Sequence, residues 1–386
     1  MARSATAGRF DFADIVRGHR AQIESRLSPA QKRVLTDIAQ CRTAALGGHL
    51  DQCDTCGYEH PSYNSCRNRH CPKCQALAQE EWIDERRERL LDERHFHVVF
   101  TMPQELRPLA RFVPRVVFEA LFSAAQRTLI EFGQRRLSAT LGATLVLHTW
   151  TRDLRFHPHV HAIVTGGGLS LDGQRWCHAR QRFLFPVRAM GRVLRAKVMA
   201  KLSDAYARGH LAGFDAFLDP RAFPLLMHKI AKLDWNVYAK ASFRKADHVV
   251  RYLGRYTHRV GLANSRLLQV ADTTVTLRTR GTDSVTLTPV DFLLRFVQHV
   301  LPDRFKKIRH MGLYASPKAL AKAKSLLPPI PEPVNPPPTW KEVLLVVTGK
   351  DEHCCPRCGA ALRKDLIPRN LPNCRRTRSP DIRRSA

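Results

Sequence analysis

The sequence predicts an α+β fold in which helices flank an antiparallel sheet. Two segments alternate apolar and polar residues as β-strands do, namely HFHVVFTM at 95–102 and ATLVLHTW at 143–150. Between them, residues 107–137 have the apolar spacing of a long helix. Strands and helices follow one another without the regular alternation of βαβ units, which favours an antiparallel sheet.

The composition is that of a globular protein with a polyanionic partner. The chain has 386 residues, 44% of them hydrophobic, and its 63 Lys and Arg outnumber its 34 Asp and Glu. A formal net charge of +29 favours nucleic acid as the partner. No run of 18 apolar residues occurs, and the opening MARSATAGRFDFADIVRGHR is too charged for a signal peptide. We therefore expect a cytoplasmic protein that binds DNA or RNA and does not enter a membrane.

The N-terminal region, taken as residues 1–93, is expected to be helical around a cysteine-rich segment. Two helical patterns lie between 13 and 50, and ALAQEEWIDERRERLLDE at 76–93 resembles a charged surface helix. The second pattern opens on a capping box with Ser28, Pro29 and Gln31. It is expected to close at the glycine pair 47–48.

The central domain, taken as residues 94–326, holds the predicted sheet. Besides the strands above, the sequence predicts a hairpin turn at 172–173, a helix at 186–208 and short strands at 265–290. The last region, 327–386, is expected to be a proline-rich linker followed by a basic, mobile tail.

The cysteine-rich segment at 53–74 predicts a structural zinc site. It reads CDTCGYEHPSYNSCRNRHCPKC and contains two CxxC pairs separated by fourteen residues. Two CxxC turns close a tetrahedral zinc site because each turn supplies two thiolates. The predicted zinc ligands are Cys53, Cys56, Cys71 and Cys74, with Cys66 and His70 as alternates or as part of a second site.

Basic residues lie between the cysteines, and a further CxxC pair lies near the other end of the chain. Basic residues inside the segment, Arg67, Arg69 and Lys73, suggest that zinc stiffens a loop that contacts phosphate. Near the other end of the chain, Cys355 and Cys358 form another CxxC pair with His353, Cys354 and Cys374 nearby. The sequence leaves open whether this second pair binds zinc.

Histidines alternate in HPHVHAIVTGGG at 157–168, which indicates a metal site on a strand. If the segment is extended, His159 and His161 project from one face while Val160 enters the core. Neutral imidazole is the commonest metal ligand in proteins.

A tyrosine pair in ADHVVRYLGRYTHRVG at 246–261 supplies candidate nucleophiles. Helical spacing places Tyr252 and Tyr256 on one face, beside a ladder of Arg251, Arg255 and Arg259. A tyrosine oxygen can attack a phosphodiester if a metal ion polarises the phosphate.

These motifs together resemble one known family. CDTCG and SCRNRHCPKCQ, then LHTWTRDLRFHPHVHAIVTGGGLS, then VVRYLGRYTHRV occur in this order over roughly residues 40 to 320. They resemble the HUH endonuclease superfamily, and within it the two-tyrosine rolling-circle transposases of the insertion sequence ninety-one family, which carry an N-terminal zinc-binding domain. The fold implied is an HUH nuclease domain preceded by a small helical and zinc-binding module.

The resemblance implies a bacterial DNA transposase that cuts and rejoins single-stranded or hairpin DNA at the ends of an insertion sequence. Tyr252 and Tyr256 would form 5′-phosphotyrosine intermediates, while His159 and His161 would hold a catalytic Mg²⁺ or Mn²⁺. Zn²⁺ would be structural. Target DNA is a further partner, and a host helicase or the replication machinery is expected because the chain has no GxxxxGK[ST] stretch for ATP.

Two assignments complete the expected site. A catalytic ion needs a third protein ligand, for which His148 is the first candidate because it lies on the preceding strand, with His157 and His248 as alternatives. Lys240, in WNVYAKASF, is expected to bind the scissile phosphate or to protonate the leaving oxygen.

Other basic residues are expected to bind DNA phosphates, and two other functions compete with transposition. The expected DNA-binding residues are Arg251, Arg255, Arg259, Lys306, Lys307 and Arg309. The alternatives are a rolling-circle replication initiator with the same chemistry, and a non-catalytic zinc-bearing DNA-binding regulator.

Overall fold

The structure is a computed structural model of the chain. It describes residues 10–74, 82–83, 85–86, 89–180, 184–243, 261–328, 342, 345, 351 and 353–369. Within this part of the chain, no helix combines the length and the apolar character needed to cross a membrane.

The described elements have the following bounds in chain order. The strands are β1 Gly48–Gln52, β2 Glu59–Tyr63, β3 His95–Thr101, β4 Ala139–Trp150, β5 Phe156–Ser170, β6 Trp176–His178, β7 Val237–Phe243, β8 Leu267–Val270, β9 Val275–Arg278, β10 Ser284–Leu287, β11 Ile308–Gly312 and β12 Arg363–Ile367. The α-helices are α1 Phe12–His19, α2 Pro29–Gln40, α3 Arg107–Phe112, α4 Pro114–Leu137, α5 Val187–Ala207, α6 Ala222–Ala231, α7 Pro289–Val297 and α8 Pro317–Ser325.

The main sheet is antiparallel, as the irregular order of elements predicted. Its strand order is β11, β4, β5, β3, β7, and β6 pairs with the far end of β5. One face buries Phe100, Leu147 and Val160 against the long helices α4 and α5. Side chains alternate along a strand, so the histidines of β5 point from the opposite face. The mixed helical and antiparallel fold class is therefore confirmed.

The helical stretch predicted at 107–137 is two helices because a proline interrupts it. Val113 has φ −119° and ψ 63°, outside the helical region, and Pro114 begins α4. Proline disfavours the helical conformation in the residue before it and is well suited to the first helical turn. The break separates α3 from α4, and α4 then supplies most of the helical cover of the sheet.

Helix α2 begins as predicted and ends earlier than predicted. The Ser28 hydroxyl accepts a hydrogen bond from the amide of Gln31, whose side chain accepts one from the Ser28 amide. The helix ends at Gln40 because Cys41 is extended, with ψ 124°. This departure brings the Cys41 thiol to the cysteines of the loop at 64–74.

The N-terminal helices share a core with later elements and do not form a separate unit. The Phe12 ring lies 4.4 Å from the ring of Phe296 and 5.7 Å from that of Phe292, both on α7. The small sheet β8–β9–β10 contributes Leu267 and Val275 to the same core. Helix α7 was not predicted from the sequence, although it provides the surface on which α1 and α2 bury their apolar side.

Part of the expected tail is folded onto the N-terminal region. Strand β12 pairs with β1 over five residues, and β1 pairs with β2, so the three form one antiparallel sheet. The prediction that residues 353–369 belong to a mobile tail is therefore wrong. The physical reason is that β1 offers an open edge, and its hydrogen-bonding groups pair with a strand from the other end of the chain.

Candidate metal centres

Three histidines converge on the face of the central strands that lies opposite the long helices. His148 on β4 lies directly opposite His159 on β5, and His161 is two residues further along the same face. One ring nitrogen of each lies within 4.8 Å of the others. The ring of His148 is 4.2 Å from that of His161, and the rings of His159 and His161 are 4.8 Å apart.

Of the three candidates for a third ligand, the structure brings His148 to the pair. His157 lies outside the cluster, where its Nδ1 is 2.9 Å from a guanidinium nitrogen of Arg107. His248 falls outside the described residues.

Hydrogen bonds fix the orientation of two of the rings. Nδ1 of His159 donates to the carbonyl oxygen of His157 at 2.6 Å, which makes Nε2 the nitrogen available to a metal. Nδ1 of His161 lies 2.7 Å from Nε2 of His97 on β3. Partners of this kind set the tautomer and direction of metal-binding histidines.

The three imidazoles are neutral at pH 7. Burial lowers the pKa of His159 to about 4, and burial followed by the nearby His159 lowers that of His161 to about 2. Burial, and then the proximity of His161 and His159, holds the pKa of His148 well below its usual range. A neutral imidazole offers a lone pair to a metal without first losing a proton.

This donor set fits a divalent ion with some affinity for nitrogen. Mg²⁺ prefers oxygen ligands, whereas imidazole suits transition metals. Three imidazoles on two paired strands, His148, His159 and His161, therefore fit Mn²⁺ better than Mg²⁺. Further ligand positions would be left for phosphate and water oxygens.

His97 was not predicted as part of the site, although the sequence contains a signal for it. The HFH at 95–97 has the same alternation as the HVH at 159–161. In the sheet, His97 pairs with Ile163 on one side and with Lys240 on the other, and therefore shares the face of His161.

The segment that carries the predicted tyrosines has one of its two ends close to the histidines. Tyr252, Tyr256, Arg251, Arg255 and Arg259 all lie in 244–260, outside the described residues. The chain enters that segment from β7, where exposed Lys240 sits opposite His97. It leaves at Gly261, whose backbone packs against the Trp150 ring so closely that a Cβ would lie 2.6 Å from it.

Trp150 connects this exit to the histidine cluster. Its ring stacks on His148 with centroids 4.8 Å apart and planes 20° from parallel. The end of the undescribed segment at Gly261 therefore adjoins Trp150, which contacts His148, whereas β7 ends at Phe243, opposite His95 and further from the three histidines.

Two of the three expected phosphate-binding residues near 306 point into the protein. Lys307 is buried, and burial lowers the pKa of its ammonium to about 7. Arg309 makes two hydrogen bonds to the Glu119 carboxylate, at 2.6 and 2.7 Å, and stacks over Phe122. The surface role predicted for Lys307 and Arg309 is corrected, because the turn into β11 directs both inward, while Lys306 remains exposed.

The cysteines form two clusters, and the grouping predicted from the CxxC spacing is wrong. The first cluster is Cys41, Cys66, Cys71 and Cys74. Its Sγ atoms lie 3.2 Å apart for Cys41 and Cys74, 3.5 Å for Cys66 and Cys74, and 3.7 Å for Cys71 and Cys41. Hydrogen bonds from Cys41, Cys66 and Cys71 strongly lower the pKa of Cys74, as expected of a thiolate.

The second cluster joins the remaining CxxC pair to one from the other end of the chain. It consists of Cys53, Cys56, Cys355 and Cys358. The predicted single site at Cys53, Cys56, Cys71 and Cys74 is thus divided between two clusters. Pairing of β12 with β1 explains this, because it holds the turn after β1 beside the turn before β12.

His70, the alternate zinc ligand of the sequence analysis, has a different role. It is buried, and its Nε2 accepts a hydrogen bond from the Leu301 amide at 3.3 Å. Burial, followed by repulsion from Arg69, lowers the pKa of His70 to about 3. The ring is therefore a neutral acceptor that ties the cysteine loop to the segment before β11.

Basic residues of the cysteine loop also make internal contacts. The guanidinium of Arg69 donates to the carbonyl oxygens of Phe305 at 2.8 Å and Pro302 at 3.1 Å. Lys73 forms an ion pair with Asp11 at 2.6 Å. The predicted phosphate contact of Arg69 and Lys73 is therefore wrong. Both side chains instead hold the cysteine loop against other parts of the same chain.

The sequence of the chain is similar to those of known proteins. Residues 142–321 match the family described as putative transposase, and residues 12–102 match the family described as transposase zinc-binding domain. A putative transposase, y4qJ, of Sinorhizobium fredii is 38% identical over 379 residues, which cover 93% of this chain and 94% of that protein. The transposase for insertion sequence element IS801 of Pseudomonas savastanoi pv. phaseolicola is 30% identical over 308 residues, 76% of this chain and 72% of that protein.

No solved structure matches the chain. The two relatives each match most of this chain, and both are described as transposases, as are the matched families. The chain therefore belongs to the transposases of the IS91 family, with a transposase zinc-binding domain in its N-terminal part.

Proposed function

We propose that this transposase cleaves and rejoins single-stranded DNA at the ends of its insertion sequence through 5′-phosphotyrosine intermediates. The observation that carries the proposal is the convergence of His148, His159 and His161 on one face of the sheet. A bound Mn²⁺ or Mg²⁺ would polarise the scissile phosphate and neutralise the leaving oxygen.

The residue that follows the tyrosine segment supports the same site. Gly261 packs against Trp150, and the Trp150 ring stacks on His148. We infer that a tyrosine of the segment before Gly261 attacks a phosphate bound at the three histidines.

The proposed reaction uses the phenol oxygen of Tyr252 or Tyr256. This oxygen gives its proton to water and attacks phosphorus, so that a tyrosine O–P bond forms while the bond from phosphorus to the 3′ oxygen breaks. The 3′ oxygen takes up a proton, for which Lys240 is the proposed donor, and the 5′ phosphate stays on the tyrosine. A free 3′ hydroxyl can then reverse the step and rejoin a strand.

The charge of the protein supports DNA as the substrate. A formal net charge of +29 attracts a polyanion, and the exposed Lys306 and Lys240 lie on strands or turns of the main sheet. Unwinding of the duplex is assigned to a host helicase or to the replication machinery.

The test is a covalent adduct assay. Purified protein with Mn²⁺ and single-stranded DNA from the ends of its element should form a species that survives denaturation and contains both protein and DNA. The variant carrying both Tyr252→Phe and Tyr256→Phe should form none, and His161→Ala should form none while still binding DNA. An adduct in the double phenylalanine variant would mean that another residue is the nucleophile.

A further inference from the structure

Two cysteine turns from opposite ends of the chain have the same structure. They read CDTCGY at 53–58 and CPRCGA at 355–360. In the first, the Cys53 amide donates to the carbonyl oxygen of Tyr58 at 2.9 Å. In the second, the Cys355 amide donates to that of Ala360 at 2.7 Å. The two turns therefore close their loops with the same backbone hydrogen bond.

The glycine that follows each pair has the same role in both turns. Gly57 and Gly359 have φ of 67° and 78°, in the left-handed region that favours glycine. Each donates its amide to the carbonyl oxygen of the first cysteine, at 3.0 Å for Gly57 and 2.9 Å for Gly359. This bends the chain around the thiols. In the second turn, the amide of Arg357 also points at Sγ of Cys355 at 3.4 Å, which favours a thiolate there.

The four sulfur atoms have the spacing of a tetrahedral zinc site. Sγ of Cys53 lies 3.5 Å from that of Cys358, and Sγ of Cys56 lies 3.6 Å from that of Cys355. All four Sγ atoms lie within 4.8 Å of one another. Thiolates bound to zinc at about 2.3 Å in a tetrahedron are about 3.8 Å apart.

We propose that Cys53, Cys56, Cys355 and Cys358 bind a second structural zinc ion, which fastens the C-terminal segment to the N-terminal region. The site spans 299 residues of sequence between Cys56 and Cys355. It thus extends beyond the residues 12–102 that match the transposase zinc-binding domain. The cluster around Cys71 is a separate site.

The sheet that the ion would hold together has little apolar core of its own. Strand β12 is exposed or half-buried along its length, and Leu366 is 85% exposed. Strand β2 is exposed at Glu59, His60 and Pro61. Among the described residues, none of the three clusters of buried apolar side chains includes a residue of β12 or of this cysteine site. Small domains without such a core commonly rely on a metal or on disulfides.

Polar contacts also join the two cysteine turns. The Arg363 guanidinium donates to the Gln52 side chain at 2.6 Å and lies 3.8 Å from the Asp54 carboxylate. The guanidinium of Arg357 lies over the Tyr58 ring at 5.4 Å. These exposed contacts set the register of the turns but contribute little to stability in water, so the zinc ion would supply most of the cohesion.

Zinc stoichiometry tests the proposal on the full chain purified under reducing conditions. Elemental analysis should find two zinc ions per wild-type chain and one in the variant Cys355→Ser/Cys358→Ser. The variant Cys53→Ser/Cys56→Ser, on the other side of the same site, should also retain one. Cys354→Ser is the matched control, because Cys354 is exposed, adjacent to the site and outside the cluster. It should retain two.

Hydrogen exchange then shows what the ion holds. In Cys355→Ser/Cys358→Ser, the amides of β1 and β12 should exchange at least about tenfold faster, while those of β4 and β5 keep their protection. The retained zinc shows that the variant is folded. The proposal is wrong if wild-type protein contains a single zinc ion, if either double variant retains two, or if thiol labelling of the reduced protein finds these cysteines as disulfides.

Discussion

Nε2 of His97 lies 2.7 Å from Nδ1 of His161, and the two rings are within 4° of parallel. For His161 to bind a metal through Nε2, its Nδ1 must carry the proton and donate it to His97. Burial lowers the pKa of His97 to about 4, so at pH 7 its ring is neutral and can accept. His97 is therefore assigned as a positioning residue for the proposed catalytic ion.

The first prediction is that His97→Ala weakens Mn²⁺ binding by about 10- to 100-fold, the usual effect of removing a partner that orients a metal ligand. Adduct formation should fall at low Mn²⁺ and recover at saturating Mn²⁺. Metal titration of the adduct assay measures both effects. His310→Ala is the control, because His310 lies on β11, bonds to Thr144 and is outside the cluster. Equal Mn²⁺ dependence of His97→Ala and wild type would refute the assignment.

The second prediction concerns the two tyrosines. In the proposed mechanism a second cleavage takes place while the first DNA end is still held, which calls for two nucleophiles. Tyr252 and Tyr256 are four residues apart, about one helical turn, and we expect each to reach the same phosphate site. Tyr252→Phe and Tyr256→Phe should each retain adduct formation but lose most transposition in cells. If either single variant transposes at the wild-type rate, one tyrosine is sufficient.

The third prediction concerns the zinc cluster around Cys71. This side chain is buried in the core shared by α1, α2 and α7. Cys71→Ser should therefore release one zinc ion and lower the midpoint of thermal unfolding by roughly 5 °C or more, since about 1 kcal/mol shifts it by 2–4 °C in a domain of this size. Elemental analysis and a melting curve measure the two effects.

A matched control for this variant is Cys177→Ser. Cys177 is half-buried on β6 and belongs to neither cysteine cluster. The Cys177→Ser variant should keep all of its zinc and nearly all of its stability. If Cys71→Ser keeps its full zinc content, Cys71 is not a ligand.

The strands and the histidine pair could be predicted from sequence because their signals are local. Alternation in 95–102 and 143–150 marks β3 and β4, and the spacing of His159 and His161 puts both on one face. His148 could be predicted as the third ligand in the same way, since a short connection joins β4 to β5. His97 was missed because its strand is about sixty residues away along the chain.

The cysteine grouping could not be predicted because its determinants are distant in sequence. Two adjacent CxxC pairs satisfy the rule for one site, yet Cys53 is 305 residues from its neighbour Cys358. Cys41 has no CxxC partner and joins the other cluster only because α2 ends just before it. Burial of Lys307 was equally hidden, since its neighbour Lys306 is exposed and the local sequence is rich in basic residues.

The last prediction is that the protein loses stability in mild acid through buried histidines, of which His95 is the clearest case. Its Nδ1 donates to the Glu93 carbonyl oxygen at 2.7 Å, so Nε2 must accept from the Tyr314 hydroxyl at 2.6 Å. Protonation would place a second N–H against that hydroxyl. Burial, opposed by the bond to Glu93, lowers the pKa of His95 to about 4.

The direction of the pH effect on stability follows from the protons that the folded and unfolded chains bind at His95. Between pH 6.5 and about 4 the unfolded chain binds a proton at His95 that the folded chain does not, so stability falls as the pH falls through this window. The slope is about 1.4 kcal/mol per pH unit for each such histidine, and above pH 6.5 it is zero. His299, with a pKa lowered to about 4 by burial, acts in the same direction.

Urea unfolding at pH 7.5 and pH 5.5 measures this effect. His95→Gln should be less stable than wild type at pH 7.5, because it disturbs the bond to Tyr314, and should lose about 1 kcal/mol less than wild type on going to pH 5.5. His210→Gln, at an exposed position, should leave the pH dependence unchanged. Comparing variants cancels the contributions of the zinc and of the other histidines, which all three proteins share. If His95→Gln and wild type lose the same stability between the two pH values, His95 does not remain neutral in the folded protein.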